Sequence, residues 1–145
     1  MAAFSKYMQT FLPFPSFARS AKVLDRQRLG KQRVETYQIL LALSGKKTGW
    51  ANHPATKMWR GHENSLALYG MAVCREWISR GYKDSCLEKI GRFYDLEKRT
   101  DRPDWLGKRK FHLSHKSNLV RKDAGHYGKY FKNISGDLPY VWPVA

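Results

Sequence analysis

No stretch of this chain alternates apolar and polar residues with the β-branched content of a strand, while residues that start and stop helices recur along it. Those two facts predict an all-α fold. We read it as a compact single-domain helical bundle over residues 1–145, with extended segments at both ends; 145 residues is the size of one ordinary domain. Pro13 and Pro15 stand among the aromatics of the Gln9–Phe17 stretch. That stretch must be extended, because proline cannot sit inside a helix. The tail Leu138-Pro-Tyr-Val-Trp-Pro143 is also extended, and its rings are expected to pack back on the body.

A first long helix is predicted from Arg19 to Leu43, with Val23, Gly30, Val34, Tyr37 and Leu41 on one apolar stripe and Gly45 closing it. Gly30 within that stripe costs about 1 kcal/mol against alanine, which implies a neighbour packed closely there. Asn52 is the expected cap of a short helix from Pro54 to Arg60. A second long helix follows from His62 to Arg80, buried through Leu66, Tyr69, Val73 and Trp77 and stopped by Gly81. Ser85-Cys-Leu-Glu88 reads as a capping box that opens a helix carrying Leu87, Ile90 and Tyr94. Arg99 to Trp105 is a loop broken by Pro103. Lys108 to Lys122 is helical, and a shorter turn runs from Tyr127 to Phe131.

Charge then narrows the function. There are 27 Lys+Arg against 12 Asp+Glu, a formal charge of +15 on a small body rich in aromatic rings. Cations neutralise phosphates, and rings stack on or wedge between bases, so the expected partner is nucleic acid. Anionic membrane is the rival, but no apolar run approaches the roughly 20 residues needed to span a bilayer. Met1 to Tyr7 holds no signal-peptide core, and the expected location is cytoplasmic: at the nucleoid, or in host cytoplasm if the chain is viral. Two cysteines, Cys74 and Cys86, make neither a disulfide framework nor a zinc site, and Cys74 reads as a small core residue. His112 and His115 are spaced to share a metal, but no third ligand stands near them, so no metal is expected. The basic run through Lys108, Arg109, Lys110, Lys116, Arg121, Lys122, Lys129 and Lys132 is the candidate phosphate-binding surface, with Asn118 on the helix from Lys108 to Lys122.

The first helix carries the candidate chemistry. At 100° per residue, Asp25, Arg28, Gln32, Glu35 and Ile39 lie within about a quarter of its circumference, away from the Val34 stripe. One reading is a solvated face with a Lys31–Glu35 pair worth a few tenths of a kcal/mol. The other is a carboxylate for proton transfer held inside a phosphate-binding patch of Arg28, Lys31, Gln32 and Arg33. His53 precedes Pro54 at a helix N-terminus, where it can cap the helix or meet an anion. Lys57 lies in the same short helix. Trp50 and Trp59 flank it, as core residues or as wedges that fill the hole left by an extruded nucleotide.

Four motifs in order resemble the phage-type pyrimidine-dimer DNA glycosylase/AP-lyase (endonuclease V-like) family. Leu24-Asp25 and Leu29, with Glu35 six residues later, resemble its active-site helix. Asn52-His53-Pro54 and Arg80-Gly81-Tyr82 resemble the segments that follow, and Ser114-His115-x-Ser117-x-Leu119 with Lys122 and Tyr127 resembles its C-terminal helix. The Met-Gln-Thr-Phe-Leu-Pro and Leu-Pro-Tyr-Val-Trp-Pro ends are similar to a phage and actinobacterial subgroup. The resemblance implies a monomeric enzyme on double-stranded DNA that needs no cofactor and cleaves the N-glycosidic bond of a damaged or modified pyrimidine. It implies Glu35 as the catalytic carboxylate and the α-amine at Met8 as the nucleophile, giving AP-lyase activity through a Schiff base. Seven residues precede Met8 in this chain, an extension outside the resemblance that ties the Met8 nitrogen into a peptide bond. The arginine that precedes the family's glutamate is replaced by Val34, leaving its role to Arg33 or Arg28. The alternative function is a non-catalytic basic DNA-binding or architectural protein.

Overall fold

The computed structural model describes residues 8–46 and 49–143; the expected N-terminal extension, residues 1–7, lies outside them. Among the described residues the chain is helical without a strand. The helices are α1 (Phe17–Val23), α2 (Arg26–Leu43), α3 (Pro54–Lys57), α4 (Glu63–Ser79), α5 (Cys86–Gly91), α6 (Arg109–Lys122) and α7 (Ala124–Tyr127). They close around Leu29, Ile39, Leu40, Leu66, Val73 and Ile90, with a ring cluster of Trp59, Tyr69, Trp105 and Phe111, all buried.

The single helix expected from Arg19 to Leu43 is two. Leu24 and Asp25 are extended, and the Asp25 side chain accepts from the Arg28 N–H, capping α2 as Ser16 caps α1. An aspartate satisfies a helix start better than a helix interior, so the chain breaks there. The buried face of α2 also differs from the apolar stripe. Val34 is 43% exposed, while Leu29, Gln32, Thr36, Ile39 and Leu40 are buried. The close neighbour inferred at Gly30 is the Trp77 ring, which a Cβ there would meet at 3.1 Å. Gly70 of α4 faces α2 the same way, its Cβ position 2.6 Å from the Thr36 methyl. The two long helices therefore cross closely.

Polar residues are inside because an extended segment is inside. Met8 to Leu12 is buried, and buried peptide groups must find partners. With no sheet beside it, the segment uses side chains. Gln32 Oε1 accepts from the Phe11 N–H at 2.9 Å, and Gln32 Nε2 donates to the Gln9 carbonyl at 2.7 Å. The Tyr69 hydroxyl lies 2.8 Å from the Phe11 carbonyl and also against Gln32 Oε1. His115 Nδ1 accepts from the Leu12 N–H at 2.9 Å. His112 Nε2 accepts from the Gly107 N–H, so its Nδ1–H donates to the Leu12 carbonyl at 2.8 Å. Helices α2, α4 and α6 thus hold one peptide segment between them.

Two caps differ from expectation. His53, not Asn52, caps α3, its Nδ1 accepting from the Ala55 N–H at 2.9 Å. Asp84, not Ser85, caps α5, accepting from Cys86 N–H at 3.1 Å and Leu87 N–H at 2.7 Å. The carboxylate one residue upstream already serves the N–H groups that a capping box would. The C-terminal tail packs back as expected, with Tyr140 edge-on to His115 at 5.3 Å and Trp142 edge-on to His53 at 5.9 Å.

Candidate active site

One cavity lies beside the extended segment. Gln27, Arg28, Lys31 and Glu35 of α2, Phe11 of the extended segment and Lys122 at the end of α6 line a cavity of ≈ 170 Å³. Three cations and one carboxyl share its wall. Burial pushes the Glu35 carboxyl up to about 7, against the opposing pull of the Lys31 charge and a Gln32 hydrogen bond. Burial, with Arg28, Arg121 and Lys31 nearby, pushes the Lys122 ammonium below its usual range. A carboxyl that titrates near neutral can both take and give a proton at working pH.

Gln32 couples this carboxyl to the extended segment. Its Nε2 reaches Glu35 Oε1 at 3.1 Å as well as the Gln9 carbonyl. Backbone next to Met8 and the carboxyl therefore hang on one amide. Arg28 is fixed from below: its Nη1 donates to Asp25 Oδ1 at 3.1 Å.

Of the expected site residues, Arg28, Lys31 and Glu35 come together with Lys122, and Gln32 stands directly behind them. Lys57 is exposed on α3. Lys116 is half-buried, its ammonium over the Phe14 ring at 5.0 Å. The remaining expected DNA contacts have other partners. Trp59 is fully buried and donates from Nε1 to Thr10 Oγ1 at 3.1 Å, which corrects the wedge expectation. Arg33 pairs with Asp84 at 2.6 Å and lies over Trp77, so it does not stand in beside Glu35. His115 is buried on Leu12, and burial pushes its imidazole down to about 3. His53 is a buried cap, and Asn118 is buried and donates to the Ser114 carbonyl at 2.7 Å. Arg121 holds the tail through the Gly136 carbonyl at 2.8 Å. Met8 is fully buried.

Three residues beside the site escaped the reading of the sequence. Phe11 and Gln27 look like ordinary loop and surface residues. Tyr69 belongs to the expected buried stripe, and a buried hydroxyl that needs a partner is the signal for its bonds to Phe11 and Gln32.

A carboxyl among cations, on a helical chain of charge +15, fits the class of proteins that receive a polyanion. A family model described as pyrimidine dimer DNA glycosylase matches residues 8–89, more than half of the chain, and the chain belongs to that family. No curated protein and no solved structure matches it. The family is one of DNA glycosylases, so the substrate is DNA. The match starts at Met8, includes Glu35 and ends within α5; α6, α7 and the tail lie beyond it. No helix among the described residues is long and apolar enough to cross a membrane.

Proposed function

We propose that this chain, acting as a monomer, excises a damaged or modified pyrimidine from double-stranded DNA, with Glu35 as the proton-transfer group. The observation that carries this reading is the Glu35 carboxyl, held near neutral by burial inside a cavity walled by Arg28, Lys31 and Lys122. The C1′–N bond breaks with its electron pair passing to the base, which takes up a proton. The carboxylate form of Glu35 offsets the positive charge that grows on the sugar and accepts a proton from the nucleophile. The cations receive the flanking phosphates, with Lys57 and Lys116 on the outer surface. A lesion panel tests this. Duplexes carrying a cyclobutane dimer, 5-hydroxymethyluracil or an abasic site are incubated with the protein, and strand breaks are scored before and after alkali. Alkali-dependent breaks at one of the modified pyrimidines are expected. Binding to every duplex with no excision from any would return the chain to the non-catalytic reading.

The nucleophile depends on the state of Met8. A free α-amine has a pKa near 8 and is far more often neutral at pH 7 than a lysine. In a chain started at Met8 that amine attacks C1′, loses a proton and forms the imine as the sugar ring opens. In the chain with seven residues before Met8 the nitrogen is an amide, and water is the nucleophile, giving excision without lyase activity. Borohydride trapping on abasic DNA separates the two. A covalent complex is expected from the chain started at Met8 and little from the longer one. Equal trapping by both, surviving N-terminal acetylation, would assign the imine to a lysine, Lys31 or Lys122.

A further inference from the structure

Beneath Arg28 lies a buried contact that the proposed chemistry does not use. Tyr127 of α7 reaches across to the start of α2, 102 residues away in sequence, and its hydroxyl accepts the Asp25 N–H at 2.9 Å. The same hydroxyl donates to Asp25 Oδ1. That oxygen also receives Arg28 Nη1, and Oδ2 receives the Arg28 N–H at 3.3 Å. One phenol therefore fixes both the backbone and the carboxylate of Asp25, and the carboxylate fixes the guanidinium. Tyr127 is itself part of the core. It is fully buried and stacked parallel to Phe131, with centroids 6.1 Å apart. Among the described residues no other group takes the remaining N–H donors of Arg28, and the residue borders the Glu35 cavity.

We propose that Tyr127 and Asp25 are positioning residues that hold the Arg28 guanidinium as a preset phosphate fork at the mouth of the Glu35 cavity, where it takes the backbone phosphate beside the extruded nucleotide. The inference rests on the proposed function for the identity of that nucleotide. A guanidinium already tied at one nitrogen loses little freedom when its other donors meet a phosphate. A plain core role for Tyr127 would explain its burial and require some partner for its hydroxyl, but not that this partner be the carboxylate that carries Arg28.

The test is a double-mutant cycle read by binding to a duplex that carries an uncleavable abasic-site analogue. Tyr127→Phe and Arg28→Gln are each expected to weaken binding about tenfold. Each should also lessen the slope of log K against log salt by about 0.9, the loss of one phosphate contact. In the Arg28→Gln background, Tyr127→Phe should add less than twofold. Asp25→Asn, which keeps the helix cap because asparagine caps as well as aspartate, should behave like Tyr127→Phe and carries the test if the latter unfolds. Full additivity of Tyr127→Phe and Arg28→Gln, or an unchanged salt slope in folded Asp25→Asn, would overturn the inference. Because the readout is binding, such a result is distinct from failure of the parent protein to excise, which would overturn the proposed function instead.

Discussion

At Glu35 two effects compete, and the larger one decides its protonation. Lys31 and the Gln32 amide favour the carboxylate, but burial outweighs them and raises the carboxyl from 4.5 to about 7. The sign for stability follows. Between those values the unfolded chain has released the proton that the folded chain still holds, so stability falls as pH rises through the window and stays reduced above it. Glu35→Gln removes the buried charge. Its melting temperature should exceed the parent's by several degrees at pH 8, and the gain should shrink toward zero at pH 4. Melts at the two pH values check this; an equal difference at both would mean that the carboxyl is solvated. Its place on the helix beside Arg28 and Gln32 was legible, but a catalytic role for it is implied by the family resemblance and not by that spacing. Its burial was not, because a charged and amide-rich helix face looks like a solvated one until the segment that covers it is known.

The extended segment is that cover. Its proline-bounded, non-helical character followed from Pro13 and Pro15, but its depth did not, since polar Gln9 and Thr10 give no signal of burial. The same blind spot explains His115, Trp59 and Asn118, which resemble nucleic-acid contacts by type and are buried partners of backbone or side chains. The all-helical class, the close approach at Gly30 and the folded-back tail were readable from local pattern. The break at Asp25 was not, because Tyr127, which pins it, is 102 residues away. His115 gives the segment a pH response of opposite sign to Glu35. Its imidazole stays neutral in the fold down to about 3, whereas the unfolded chain takes up a proton below the ordinary 6.5. Its contribution is therefore lost as pH falls from 6.5 toward 3. His115→Asn offers an acceptor to the Leu12 N–H without titrating. Denaturant midpoints should fall less steeply between pH 6.5 and 4 in that variant than in the parent. His53 and His112, also lowered by burial, should leave part of the slope in place. Identical slopes in parent and variant would show that the His115 imidazole is not the group being protonated.

Over the whole molecule, a charge of +15 makes DNA affinity electrostatic and largely indifferent to sequence. With roughly 5 to 8 phosphate contacts, log K against log salt should fall with a slope of about −4 to −7. A slope near zero in a fluorescence-anisotropy titration would contradict a phosphate-binding surface. In the proposed function, the cavity that joins α2, α6 and the extended segment gives that surface a reaction as well as a ligand. The most direct test of this account is single-turnover excision by Glu35→Gln, on whichever lesion duplex the parent cleaves, alongside its affinity for the same duplex. The account predicts a rate lower by about 10²–10⁴-fold with affinity within about threefold of the parent's. Excision at the parent rate would contradict it and leave Glu35 as a buried carboxyl with no part in the chemistry.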